Sequence, residues 1–172
     1  MANLRRVQDS GDAPVLAVDV DGVISLFGFE GPLDQVPGRF HLLDGIAHCI
    51  SDDAGPELRR LAEVYELIWA TGWEERANDH LPHILGLPEL PYLTFDGRAR
   101  FGTAHWKLEA IEAYAGRRPL AWIDDSLDES CHAWAARRGA PTLLVPTDSD
   151  VGITDAHTET MLSWAREGYT PL

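Results

Sequence analysis

Short apolar runs that alternate with helical patterns predict an α/β fold, a doubly wound parallel sheet with right-handed crossovers. Three observations carry that reading. Val15–Val23 reads VLAVDVDGV, an apolar run closed by aspartates and a glycine, as expected of a central parallel strand covered on both faces. Similar short runs recur at Leu67–Ala70, Tyr92–Phe95, Leu120–Ile123 and Thr142–Val145, giving about five strands with Val15–Val18. Helix punctuation agrees, with Pro56 in the first turn of a helical pattern and Gly116 and Gly139 where helices should stop.

Taken in order, the chain opens with a stretch over 1–13 that reads as flexible, and Val15–Val18 follows as the first strand. Residues Ile24–Ile50 fit neither period cleanly, because Gly28, Gly31, Pro32, Pro37 and Gly38 interrupt LFGF and RFHLL. They read as a β-hairpin flap beside the end of the first strand, too short for a large cap domain. Helices are expected at Pro56–Glu66, Trp73–Leu85, Ala104–Tyr114, Leu127–Arg138 and about Asp155–Glu167. Pro82 dissents inside its pattern, so that helix should end near His80 or kink there.

With 172 residues and 45% hydrophobic content, the chain suits one globular domain, 1–172, with a sizeable core. Its formal net charge of -14 disfavours sequence-independent binding to a polyanion, which needs clustered Lys and Arg, so nucleic acid is expected only as a substrate. Cys49 and Cys131 lie far apart without CxxC or Cys/His ligand spacing, as ordinary thiols of a reducing compartment do. No stretch approaches the roughly 18 apolar residues of a membrane span. A soluble, cytoplasmic protein with no membrane partner is expected.

The chemistry should sit at the carboxyl ends of the strands, where open α/β sheets place ligands. Asp19 and Asp21 follow the first strand, and a period of two points them the same way while Val20 turns to the core. Like charges that close need a cation, a shared proton or a division of labour. LIWATGW ends a second strand, where the Thr71 hydroxyl and the free N–H groups of the next turn make an anion site. Thr71-Gly72-Trp73-Glu74 is equally a capping box in which threonine caps its own helix. AWIDDSLDES supplies Asp124, Asp125 and Asp128 after another buried strand, where capping needs only one acid. Carboxylates gathered on one edge without histidine or cysteine suit Mg²⁺, which shares its shell with water and phosphate.

The ordered set DVDGV, ATG, a lysine and IDDS resembles the haloacid dehalogenase-like superfamily of phosphohydrolases, over roughly Val15 to Val145. That resemblance implies a Rossmann-like core of the family's small-cap or capless type. It implies Asp19 as nucleophile and Asp21 as acid/base, Thr71 and Gly72 as phosphate-binding motif, Lys107 as the third motif, and Asp124 as a metal-binding acid. Asp125 and Asp128 match the variable fourth motif as further metal or neighbouring groups, and the family also binds metal through the backbone carbonyl at Asp21. Gly22 would let the chain turn sharply with φ > 0. Val23 stands where many family phosphatases have threonine. Both aspartates being present speaks against dehalogenase chemistry.

The function so implied is a Mg²⁺-dependent phosphatase acting on a phosphomonoester, a nucleotide, a nucleic-acid end or another phosphorylated small molecule or macromolecule, through an aspartyl-phosphate intermediate. A non-catalytic metal- and phosphate-binding module and a phosphomutase are the alternatives, the latter needing sequestration that an open site lacks. A second copy of the chain covering the cleft is the alternative to a macromolecular substrate. Arg98 and Arg100, in the loop before Lys107, read as solvated with a grip on a second phosphate or a nucleic-acid backbone as the alternative, Arg39 and Arg76 read likewise, and His80 and His83 lack a third ligand at metal spacing. His105 reads as a neighbour of Lys107. Trp73 could stack on a ring or join the core with Trp69, Trp122 and Trp134.

Overall fold

The computed structural model describes residues 12–170, so residues 1–11 of the stretch expected to be flexible lie outside the described residues. Four parallel strands form the main sheet: β1 (Val15–Val18), β5 (Glu66–Trp69), β6 (Leu120–Asp124) and β7 (Thr142–Pro146), in the order β5-β1-β6-β7. A second, antiparallel sheet has the order β2-β4-β3, from β2 (Ser25–Leu26), β3 (Gly38–Leu43) and β4 (Ile46–Ser51). Helices α1 (Ala54–Leu61), α2 (Arg76–Leu85), α3 (Leu108–Ala115), α4 (Glu129–Arg137) and α5 (Asp155–Arg166) complete the fold. A single-turn 3-10 helix, His105–Lys107, leads into α3.

The strand period divides the core into two layers. Leu16 and Val18 of β1 pack in one hydrophobic cluster with α1, α2 and α5, represented by Leu58, Leu81 and Trp164. Val15 and Ala17 pack in the other with α3 and α4, through Ile111 and Cys131. Leu67 and Trp69 of β5 side with the first layer, Ile68 with the second. A fully buried strand clothed by helices on both faces is the reason the parallel runs read as uniformly apolar.

Several sequence expectations need correction. Tyr92–Phe95 is not a fifth strand: it makes one isolated bridge, Tyr92 opposite Trp69, through Trp69 N–H to Pro91 O at 2.8 Å and Leu93 N–H to Trp69 O at 3.0 Å. Pro88 and Pro91 donate no hydrogen bond, and Asp96 and Gly97 at φ 50° and 71° turn the chain away, so no ladder propagates. The first helix stops at Leu61 rather than at Glu66, because Glu66 is needed in register opposite Val15 in β5. Helix α2 starts later than expected, at Arg76, and runs through Pro82 to Leu85. Pro82 falls in the last turn, and Gly86 in the left-handed region (φ 67°) caps the helix by donating its N–H to Pro82 O.

Where one hairpin is expected, three strands form. The β3–β4 connection is a two-residue turn, Asp44-Gly45, with φ 48° and 81°, the geometry that matches strand twist in tight hairpins. Ser25 and Leu26 then pair with Ile50 and Cys49 to add β2. The turn is tied to α2, with Arg76 Nη2 donating to Asp44 Oδ2 at 2.8 Å and His80 Nε2 at 3.2 Å from the same oxygen, without hydrogen-bond geometry. The Arg76 guanidinium pairs with the Asp44 carboxylate at an exposed site, and its hydrogen bond is the first cause that holds the Asp44 carboxyl below its ordinary value. Among the described residues no helix is long and apolar enough to cross a membrane.

Candidate functional site

Parallel register brings the acids together before any side chain is considered. Val18 of β1 lies opposite Ile123 of β6, so Asp19 and Asp124 follow at the same level of adjacent strands. Asp19 keeps that level because its N–H donates to Ile123 O at 3.1 Å. By the strand period both carboxylates face the layer that contains α3. Lys107, at the entry to α3, reaches between them: its Nζ lies 2.9 Å from Asp19 Oδ1 and 2.6 Å from Asp124 Oδ2.

All three groups are buried, with relative exposures of 6% for Asp19, 0% for Asp124 and 3% for Lys107. Burial pushes the Asp19 carboxyl above the ordinary carboxylate range, with Lys107 pulling it down and Asp124 pushing it further up. Burial opposes the Lys107 ammonium, but Asp19 and Asp124 outweigh it, so its pKa stands above the ordinary lysine value. Lysine 107 is thus a buried cation in a carboxylate clasp and not the solvated helix residue that its sequence context alone indicates.

Asp125 joins the cluster. Carboxylate oxygens of Asp19, Asp124 and Asp125 lie within 4.8 Å of one another. Ser126 organises the fourth motif, its N–H donating to Asp124 Oδ1 at 2.9 Å and its hydroxyl to Asp125 Oδ1 at 3.0 Å. Burial raises the Asp125 carboxyl, with the Ser126 hydrogen bond acting against it. Three carboxylates facing one ammonium leave an excess of negative charge, and their all-oxygen donor set fits a hard divalent cation.

Asp21 goes elsewhere. After Asp19 the chain folds tightly: Val20 O accepts from the N–H groups of Val23, Ile24 and Ser25 at 3.2, 2.9 and 2.9 Å, and Gly22 adopts φ 77°. Val20 is fully buried as expected, but the period of two does not survive the turn. Asp21 is exposed, its carboxylate is not one of the clustered three, and its Oδ2 accepts from Trp73 Nε1 at 3.0 Å. A Cβ on Gly22 would fall 2.1 Å from Asp125 Oδ2, so only glycine lets the turn close over the cluster.

Thr71 and Gly72 follow β5, one residue beyond the level of Asp19. Thr71 is buried, and its Oγ1 accepts the Trp73 N–H at 3.3 Å. The capping box suggested by T-x-x-E does not form. Helix α2 begins at Arg76, and Glu74, at φ 50°, accepts the Phe95 N–H at 2.8 Å instead of turning back to Thr71. Gly72 is exposed, and a Cβ there would make ordinary contacts with Ala99 and Trp106.

Asp128 is a helix cap. Its carboxylate accepts from the Ser130 hydroxyl and Thr103 Oγ1, each at 2.5 Å, and from the Ser130 and Cys131 N–H groups at the start of α4, which together hold it well below the ordinary carboxylate value. His105 is bonded to Ser130 Oγ at 2.7 Å and is exposed. Arg98 pairs with Glu109, Arg39 with Asp52, and Arg100 contacts only its neighbour's carbonyl among the described residues. Trp122 and Trp69 are core, and Trp134 packs edge-on against Trp122.

Sequence reasoning missed Ser126, His48 and Ser25. Ser25 Oγ lies 2.9 Å from His48 Nδ1, and the His48 ring meets Trp73 edge-on at 4.8 Å. No local signal announces Ser25 and His48, whose contacts span residues 25 to 73, whereas Ser126 bonds to its immediate neighbours Asp124 and Asp125 inside the IDDS motif. A cavity of about 660 Å³ lined by Arg39, His41, Arg59 and His83, among others, shares no residue with the carboxylate cluster. The class defined by fold and site is an α/β chain with a lysine-clasped acidic cluster at the carboxyl edge of a parallel sheet. No family model and no curated protein matches the chain.

Proposed function

We propose that this protein is a Mg²⁺-dependent phosphomonoester hydrolase of the haloacid dehalogenase-like type, with Asp19 as its nucleophile. The observation that carries the reading is Lys107 buried between Asp19 and Asp124, with Asp125 completing a carboxylate trio. A buried ion cluster stabilises a fold poorly compared with apolar packing, so its presence at the ligand-binding edge favours a functional reason.

Asp19, Asp124 and Asp125 would hold the magnesium ion. When bound, it would neutralise phosphoryl charge and the excess charge of the carboxylates. The Asp19 carboxylate attacks phosphorus, the ester oxygen leaves, and the phosphoryl group becomes bonded to Asp19. Asp21 gives the departing oxygen its proton, then takes one from the water that attacks the aspartyl-phosphate, releasing inorganic phosphate and restoring Asp19. Lys107 stays protonated between its carboxylates and balances the phosphoryl oxygens, while Thr71 and the N–H groups beside it fix their position. The absence of a large inserted domain among the described residues supports an open cleft and a substrate that is itself large or a second copy that covers the site.

Hydrolysis of a nitrophenyl phosphate and of phosphorylated nucleotides and oligonucleotides, with Mg²⁺ and with chelator, tests the reading. Activity is expected only with the metal, and Asp19→Asn should abolish it. A fully active Asp19→Asn protein refutes the nucleophile, and capture of a beryllofluoride adduct on Asp19 separates an enzyme from a binding module.

A further inference from the structure

The Asp21 carboxylate is exposed on a tight turn, where a free side chain would sample several staggered rotamers. It does not hang free. Among the described residues its one hydrogen-bond donor is the Trp73 indole N–H, 3.0 Å from Oδ2. That indole comes from a different element, the turn after β5, and is braced from several sides. The Trp73 backbone N–H donates to Thr71 Oγ1, and the carboxylate of the following Glu74 accepts the Phe95 N–H. The His48 ring of β4 packs edge-on against it with an interplanar angle of 64°, and His48 is fixed in turn by the buried Ser25 hydroxyl. The Arg76 guanidinium lies over the ring, 6.0 Å from its centroid.

We propose that Trp73 is a positioning residue, whose indole N–H, braced by His48 and Ser25, holds the Asp21 carboxyl clear of the Asp19–Asp124–Asp125 cluster and aimed for proton transfer. This rests on the phosphomonoester reading and extends it to a residue outside the four motifs. The arrangement solves a problem the acidic cluster creates. An Asp21 side chain that rotated inward would add a fourth carboxylate to the trio and compete for its cation. Holding the group outward keeps it available to the leaving oxygen.

Because a proton matters most when the leaving group is a poor one, the effect of Trp73 should depend on the substrate. Trp73→Phe keeps an aromatic ring against His48 and deletes the donor. With Mg²⁺ present, kcat/KM for an alkyl phosphate should fall by about 10- to 100-fold, the scale of a misplaced catalytic group. The fall for nitrophenyl phosphate should be smaller by at least about tenfold, since its leaving group needs little protonation. In an Asp21→Asn background, Trp73→Phe should cause little further loss. Equal losses for both substrates, or independent losses in the double variant, overturn the proposal.

A readout without activity separates this idea from the phosphatase reading. In ¹⁵N spectra the Trp73 indole N–H, assigned by its disappearance in Trp73→Phe, should shift and exchange faster in Asp21→Ala, and also in His48→Ala. An indole signal indifferent to Asp21→Ala overturns the positioning role whatever the chain hydrolyses. An inactive wild-type protein with the coupled signal instead overturns the phosphatase reading and leaves Trp73 as the group that fixes Asp21.

Discussion

Replacing Lys107 by methionine removes the ammonium that bridges Asp19 and Asp124 while keeping most of the side-chain volume. At 2.9 and 2.6 Å, each contact carries a gross attraction of about 6 kcal/mol at an effective dielectric of about 20, most of it offset by the desolvation of buried charges. Breaking a buried pair from one side costs about 3–5 kcal/mol, because the partner carboxylate is left uncompensated. That is a large share of the roughly 5–15 kcal/mol by which a domain is stable. Urea unfolding followed by tryptophan fluorescence, in chelator at neutral pH, measures it. Lys107→Met should lose about 3–5 kcal/mol, and adding Asp19→Asn to the variant should return part of the loss, since a neutral amide no longer needs the ammonium. If Lys107→Met is as stable as the parent and Asp19→Asn brings nothing back, Lys107 is not the counter-charge of this cluster and the reasoning fails.

Other perturbations test the turn and the cap. Gly22→Ala forces a side chain into φ 77° and a Cβ to 2.1 Å from Asp125 Oδ2; stability in chelator should drop by about 1–2 kcal/mol from the backbone alone. The stabilisation gained on adding Mg²⁺ should also shrink, and thermal melts with and without the metal that match the parent in both conditions count against this account. Asp128→Asn weakens the α4 cap. Because the folded-state Asp128 carboxyl titrates below the roughly 3.9 of an aspartate in an unfolded chain, its contribution is present above that pH and disappears as pH falls through the lower folded value. Melting curves of parent and variant should therefore differ at neutral pH and converge in acid, and a constant gap across the acid range speaks against the cap.

Legibility in the sequence differed by element, for physical reasons. Val15–Val18 emerges with its expected bounds because a strand buried on both faces must be apolar throughout, and the same constraint exposes Leu120–Ile123. Tyr92–Phe95 has the composition of a strand but pairs at a single bridge, since prolines before it and a turn after it deny it a ladder. The capping box of Thr71 was a local pattern with two outcomes, and Glu74 was drawn to Phe95, a contact 21 residues away that no local rule contains. Asp128 and Asp125 look alike in IDDSLDES, yet one lies at a helix start and caps it, while the other closes on Gly22.

The sequence by itself determined which residues would gather at the edge of the sheet: apolar strands with acids at their ends can bury their middles only by bringing those ends to one rim. What became of each acid was decided by tertiary structure. Lys107 is an unremarkable helix residue until the packing of α3 against the sheet buries its ammonium between Asp19 and Asp124. Asp21, two residues from Asp19, faces a tryptophan from another strand's turn instead of its neighbour. Charge, burial and hydrogen-bond partner are properties of a place in the fold, and contacts between distant segments create that place.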